Sequence, residues 1–143
     1  MALTSGAQRA TVIGLGLVGG SVGLGLRARG WTVSGVDLDP VSQARALELG
    51  AIAGIGIDPD STITFVAAPV RAIPAEARRA LAETAGAVTD VGSVKERVVA
   101  EVADPRFVGG HPMAGSEQLG VDGATADLFE GAVWVLTPVE GTD

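Results

Sequence analysis

The sequence predicts an α/β fold, a doubly wound, mostly parallel sheet with helices on both faces. Three observations lead there. Short β-branched runs alternate with helix-patterned segments along the chain. A glycine-rich turn joins the first of these runs to the first helix. The residues with chemical potential, among them Gly14, Asp37, Pro69, Ser93 and His111, follow strand-like runs. That is the edge where parallel sheets of this kind bind ligands. With 143 residues, 47% hydrophobic and 19% charged, the chain suits one domain with a packed core.

The elements follow in order. "ATVIGL" is the first strand and opens into "GLGLVGGSVGLGLRARG", expected to be a helix that stops at Gly30. Gly23 and Gly25 lie inside that helix, and each costs about 1 kcal/mol against alanine. They either permit close packing on the sheet or simply weaken the helix. "WTVSGVD" is the next strand. Asp39 then serves as an N-cap and Pro40 as a first-turn proline for "PVSQARALELG", with Gly50 as its stop. "AIAGIGIDPDS" is ambiguous, a short strand within a loop, and "TITFVAAP" is a clear strand closed by Pro69. "IPAEARRALAETAG" is amphipathic at helical spacing, and "AVTDVG" is a strand. "SVKERVVAEVA" is a helix, "RFVGGH" a strand and "GAVWVLTP" the last strand. The stretch "GGHPMAGSE", 109–117, reads as too irregular for helix or strand. The domain is expected over residues 9–138, with a flexible N-terminus over 1–8 and a tail over 139–143.

Composition narrows the possible partners. A net charge of −7 argues against a nucleic-acid surface, which needs clustered Lys and Arg. A bound anion remains compatible, since backbone N–H groups can hold one. The chain has no cysteine, so disulfides and thiolate metal sites are excluded. The run Ala10 to Leu26 is uncharged but holds six glycines and is too short for a membrane span. "MALTSGAQR" lacks an apolar signal core. A cytoplasmic protein with no membrane partner is expected.

"GLGLVG", Gly14 to Gly19, is a G-x-G-x-x-G in a strand-to-helix turn. Gly14 permits the tight turn, Gly16 lets a pyrophosphate approach the backbone, and Gly19 lets helix and strand pack closely. Leu15, Leu17 and Val18 lie between them. Asp37, 18 positions beyond Gly19, ends the second strand and is placed to accept hydrogen bonds from a ribose. Ala68, Pro69 and Val70, after the third clear strand, complete the expected cofactor-binding set. The expected cofactor is NAD rather than NADP. A 2′-phosphate would meet Asp37 and Asp39, with no arginine before Arg45. The bland alternative is a glycine turn beside a solvated aspartate.

"TDVGSVKE" places Ser93 at a helix start, where Ser93 and Glu96 form an S-x-x-E capping box. The same hydroxyl could hydrogen-bond a substrate, and spacing leaves both readings open. Lys95 is by default a solvated lysine. His111 is the one histidine in the chain. An imidazole titrates near pH 6.5 and can accept a proton at neutral pH. A metal role is poor, because no second histidine or cysteine completes a site.

"VIGLGLVGGS", "DVGSVK" and "GGHPMAGSEQLGVDGA", in this order, resemble the nucleotide-binding domain of the prephenate dehydrogenase family. That family includes arogenate and cyclohexadienyl dehydrogenases. The resemblance runs from about Arg9 to Pro138. It implies a Rossmann-type domain and NAD-dependent oxidative decarboxylation of prephenate to 4-hydroxyphenylpyruvate, towards tyrosine. His111 matches the catalytic histidine, and Ser93 the serine that contacts the same substrate hydroxyl. Ser116 and Glu117 match the motif that lines or gates the substrate pocket. Family members continue into a helical domain that forms the homodimer and supplies an arginine for the substrate carboxylate. This chain stops at Asp143, so weak or absent turnover is expected of it alone. A different dehydrogenase on the same fold and a non-catalytic NAD-binding module stay open as readings. "GHPMAGSE" weighs against the first.

Overall fold

The computed structural model describes residues 8–91, 102–113, 124–126 and 133–137; residues 111–113 and 133–137 are described by backbone alone. The elements are β1 (Arg9–Ile13), α1 (Leu17–Ala28), β2 (Thr32–Val36), α2 (Pro40–Leu49) and β3 (Gly54–Ile55). They continue with β4 (Ile63–Val66), a 3-10 turn (Val70–Ala72), α3 (Ile73–Glu83), β5 (Ala87–Asp90), β6 (Phe107–Met113) and β7 (Val133–Thr137). Among the described residues one sheet has the order β3-β2-β1-β4-β5-β6-β7. Its first six strands run parallel, and β7 pairs antiparallel with β6. The winding therefore reverses at β1, which lies between β2 and β4. Residues 1–7, the tail 139–143 and most of "SVKERVVAEVA" lie outside the described residues.

Alternation along β1 builds both faces. Val12 joins Leu15, Val22, Val33, Ala46, Ala51 and Ile52 in one buried cluster, bringing α1 and α2 to that face. Ile13 joins Val66, Ile73, Ala77, Ala80, Val88 and Phe107 in the other, which α3 covers. Local chemistry ends α2 as expected: the Asp39 carboxylate accepts the Val41 N–H, and Gly50 adopts φ +82°. The open question at Gly23 is settled by packing. A methyl group there would stand 2.3 Å from the Ala51 carbonyl oxygen, so the glycine permits α1 to lie against the α2–β3 connection.

The irregular reading of 109–117 is corrected in its first part. Gly109 to Met113 belong to β6, with His111 opposite Val135 and Pro112 opposite Trp134. Glycine, histidine and proline carry little strand propensity. The strand is made instead by its remote partner, β7, whose "VWVLT" is rich in β-formers. Proline is tolerated because β5 pairs with β6 only as far as Val108.

Three polar anchors fasten the layers. Buried Ser21 on α1 accepts the Thr125 N–H at 3.0 Å. The Arg106 guanidinium donates to the carbonyls of Leu81, Thr84 (2.9 Å) and Gly86 (3.0 Å), satisfying the C-terminal end of α3. At the amino edge of the sheet, the Thr11 and Ser61 hydroxyls lie 2.6 Å apart, and Thr11 Oγ1 accepts the Asp58 N–H. Arg9 Nε meets the Asp58 carboxylate at 2.6 Å.

Burial alone would raise the Asp58 carboxyl, but the hydrogen bonds from Arg9 and the Asp60 N–H, with the Arg9 charge, hold it below its ordinary value. The stabilisation from this carboxylate is therefore complete above about pH 4, and it is lost as pH falls through the lowered folded value. Asp58→Asn should melt below the parent at pH 7, and the gap should shrink as pH falls through the lowered Asp58 value and the parent carboxylate takes up its proton. Thermal melts of the pair from neutral into acid pH check this; a gap undiminished by acid refutes it.

Candidate functional site

The β1–α1 turn is built by steric exclusion. Gly14 holds φ +96°, and a methyl group there would sit 2.6 Å from the Ala67 carbonyl. A methyl group on Gly19 would stand 1.8 Å from the Gly14 carbonyl oxygen. One on Gly16 would meet nothing within 4 Å, so this position faces open space at the head of α1. No side chain caps α1 at Gly16, which leaves first-turn N–H groups for an anion. Leu17 and Val18 are half-buried beside it. The Leu15 side chain is fully buried in the core, and its N–H donates to Asp37 Oδ2 at 2.6 Å.

Asp37 therefore has a structural task as well as a position. Its Oδ1 accepts the Asp39 N–H at 2.8 Å, and its own N–H donates to Gln43 Oε1 at 3.1 Å. Each carboxylate oxygen keeps a further lone pair for a hydroxyl donor. An open cleft of ≈ 450 Å³ begins here, over Ile13 and Gly14 at the carboxyl end of β1. Val36, Asp37, Leu38, Asp39 and Gln43 line it from the β2–α2 side. Ala68, Pro69, Ala72, Glu76 and Arg79 line it from the β4–α3 side. Val70, next along the chain, is 43% exposed. Leu38 is 90% exposed at its edge, an apolar side chain suited to cover by a ligand.

Sequence reasoning missed Glu76 and Arg79. The available signal was the spacing 72, 76, 79, which places Ala72, Glu76 and Arg79 on one helical stripe. Arg79 Nη1 lies 3.6 Å from Glu76 Oε2, and its Nε donates to Glu83 Oε2 at 3.0 Å.

At the other end of the switch region, Asp90 closes β5. It is fully buried, and its Oδ1 accepts the Gly110 N–H at 3.2 Å. This bond takes over where the β5–β6 ladder stops and places the His111 backbone beside the carboxyl end of β5. Ser93, Ser116 and Glu117 lie outside the described residues, and His111 is described by its backbone alone. Among the described residues no three His, Cys, Asp or Glu side chains converge as a metal site, and no helix is long and apolar enough to cross a membrane.

Residues 22–143 match the family described as the prephenate dehydrogenase nucleotide-binding domain. Prephenate dehydrogenase of Bacillus subtilis (strain 168) is 37% identical over 146 residues, covering 91% of this chain and 39% of its own length. The crystal structure of prephenate dehydrogenase from A. aeolicus in complex with hydroxyphenyl propionate and NAD+ superposes with TM-score 0.87. It is 32% identical, and the match covers 99% of this chain and 54% of that one. Synechocystis arogenate dehydrogenase is 34% identical with TM-score 0.84, over 95% of this chain and 52% of that one. The chain therefore spans roughly two-fifths to half the length of these relatives.

The two glycines should separate in stability. Gly19→Ala forces helix and turn apart and should cost at least about 1–3 kcal/mol. Gly16→Ala, facing open space, should change stability by under about 1 kcal/mol. Urea unfolding of both variants tests this, and equal losses would contradict the packing argument.

Proposed function

This chain belongs to the prephenate dehydrogenase family as its nucleotide-binding domain, and from that premise we propose that it is the NAD-binding half of a cytoplasmic prephenate dehydrogenase. The observation that carries the reading is the joining of the glycine turn, the uncapped head of α1 and Asp37 around one cleft. The residues fit a dinucleotide. The open space at Gly16 admits a pyrophosphate close to backbone N–H groups. Asp37 accepts ribose hydroxyls, and the cleft beyond it takes the adenosine. NAD, when bound, supplies the hydride acceptor.

The chain's own residues do the rest of the local work. The imidazole of His111 accepts the proton of the ring hydroxyl as the carbon bearing it loses hydride. Ser93 hydrogen-bonds the same hydroxyl and orients it. The ring carboxylate leaves as carbon dioxide, its bonding pair completes the aromatic ring, and the ring oxygen takes back the proton from the imidazolium to give 4-hydroxyphenylpyruvate. Ser116 and Glu117 line the substrate pocket. Asp90 contributes by fixing the backbone of β6 next to the histidine. A helical domain elsewhere in the whole protein forms the homodimer and supplies a cation for the substrate carboxylate. The likeness to the Synechocystis enzyme favours arogenate as a second substrate reading.

Calorimetric titration of the chain with NAD and with NADP is the first test. NAD should bind, and NADP should bind at least about tenfold more weakly, given the carboxylates Asp37 and Asp39 facing a 2′-phosphate. Binding of neither would sink the reading. In a preparation that turns over substrate, His111→Asn should lower kcat by about 10²–10⁴ while NAD affinity stays near that of the parent. Unchanged turnover would remove His111 from the mechanism. NADH formation with prephenate and with arogenate separates the two substrates.

A further inference from the structure

On the β2–α2 side a 2′-phosphate would meet the carboxylates Asp37 and Asp39, and the fold brings a cation to the same cleft from elsewhere. Arg79, 42 positions beyond Asp37, lines the same cleft from α3. A guanidinium beside an adenosine ribose is the group best suited to grip a 2′-phosphate, which it can do bidentately. Taken alone, then, Arg79 would favour the phosphorylated cofactor. Its fork is engaged instead. Nε donates to Glu83 at 3.0 Å, and Nη1 lies 3.6 Å from Glu76. Glu83 does not line the cleft, whereas Glu76 does. Glu76 is also the more buried of the two carboxylates, its side chain 20% exposed against 49%. An incoming phosphate must therefore take the Nη edge of Arg79 away from Glu76.

We propose that Glu76 is a second determinant of nucleotide choice, which withholds Arg79 from a 2′-phosphate and adds a carboxylate on the α3 wall facing Asp37 and Asp39. This rests on the nucleotide-binding reading of the cleft and deepens it. Two walls from distant parts of the chain then reject the same phosphate. Removing Asp37 alone leaves the α3 wall intact, so the switch towards NADP stays incomplete. The Glu76–Arg79 pair is half-exposed and long, and such pairs are weak and screened by salt. A phosphate can therefore take Arg79 once Glu76 is neutralised.

The test is calorimetry of the 143-residue chain with NAD and NADP, using the parent, Asp37→Ser, Glu76→Gln, Asp37→Ser/Glu76→Gln and Glu76→Gln/Arg79→Gln. The quantity read is the ratio of the NADP and NAD dissociation constants. Glu76→Gln should lower that ratio about two- to fivefold at low salt, and less in high salt. The double variant with Asp37→Ser should fall below Asp37→Ser alone. Adding Arg79→Gln to Glu76→Gln should cancel most of the gain. If Glu76→Gln leaves the ratio unchanged while the parent binds NAD, the proposal falls and the nucleotide reading stands. If the gain survives loss of Arg79, Glu76 acts by repulsion alone and the withholding role is overturned. If the parent binds neither nucleotide, both readings fall together.

Discussion

The close contact between Gly19 and the Gly14 carbonyl governs where α1 can lie. With only a hydrogen at Gly19, the first turn of α1 presses onto the end of β1. That contact buries Leu15 beneath the turn and leaves Gly16 at the open head of the helix. The same geometry brings the Leu15 N–H within reach of the Asp37 carboxylate. Bulk at Gly19 would lift the helix, empty the Leu15 pocket and part the turn from Asp37 at once. The ligand edge, the core beneath it and the acidic residue beside it thus share one steric condition.

Asp37 gives the cleft its stiffness. One oxygen holds the β1–α1 turn and the other the start of the β2–α2 connection. An acceptor held this way loses little further freedom when a hydroxyl donor arrives, which lowers the entropic cost of binding. The facing wall is built differently, from ion pairs between exposed helical side chains that reorganise at small cost. A firm acceptor opposite an adjustable cation suits a site that must tell two nearly identical nucleotides apart.

The features legible in the sequence were those that local chemistry decides. Asp39, Pro40 and Gly50 bounded α2 because caps and stops act within a few residues. The glycine turn and Asp37 were legible because their spacing belongs to a single βαβ unit. Other features depended on contacts far along the chain. Gly23 gained its reason only from the Ala51 carbonyl, and the strand through Gly109–Met113 only from β7. Glu76 and Arg79 are placed at the cleft only by the strand order, which sets α3 beside it. A motif marks a segment without saying which atoms face outward, and the Leu15 side chain inside the glycine turn faces the core. For Ser93 and His111 spacing and residue chemistry gave a possible role and the resemblance named it, whereas Ser116 and Glu117 were named by the resemblance.

The bond from Thr125 to Ser21 has a bearing on how the chain is made. Its two ends are 104 residues apart in sequence. A ribosome releases the amino-terminal end first, at roughly 5–20 residues per second. Ser21 therefore emerges several seconds before the segment that occupies its acceptor, and Asp90 likewise precedes Gly110. During that interval α1 can settle on β1 and β2, but part of its outer surface still awaits Ala124 to Ala126. The nascent domain is thus a sheet growing outward from its own middle, sealed by a segment translated after its first six strands.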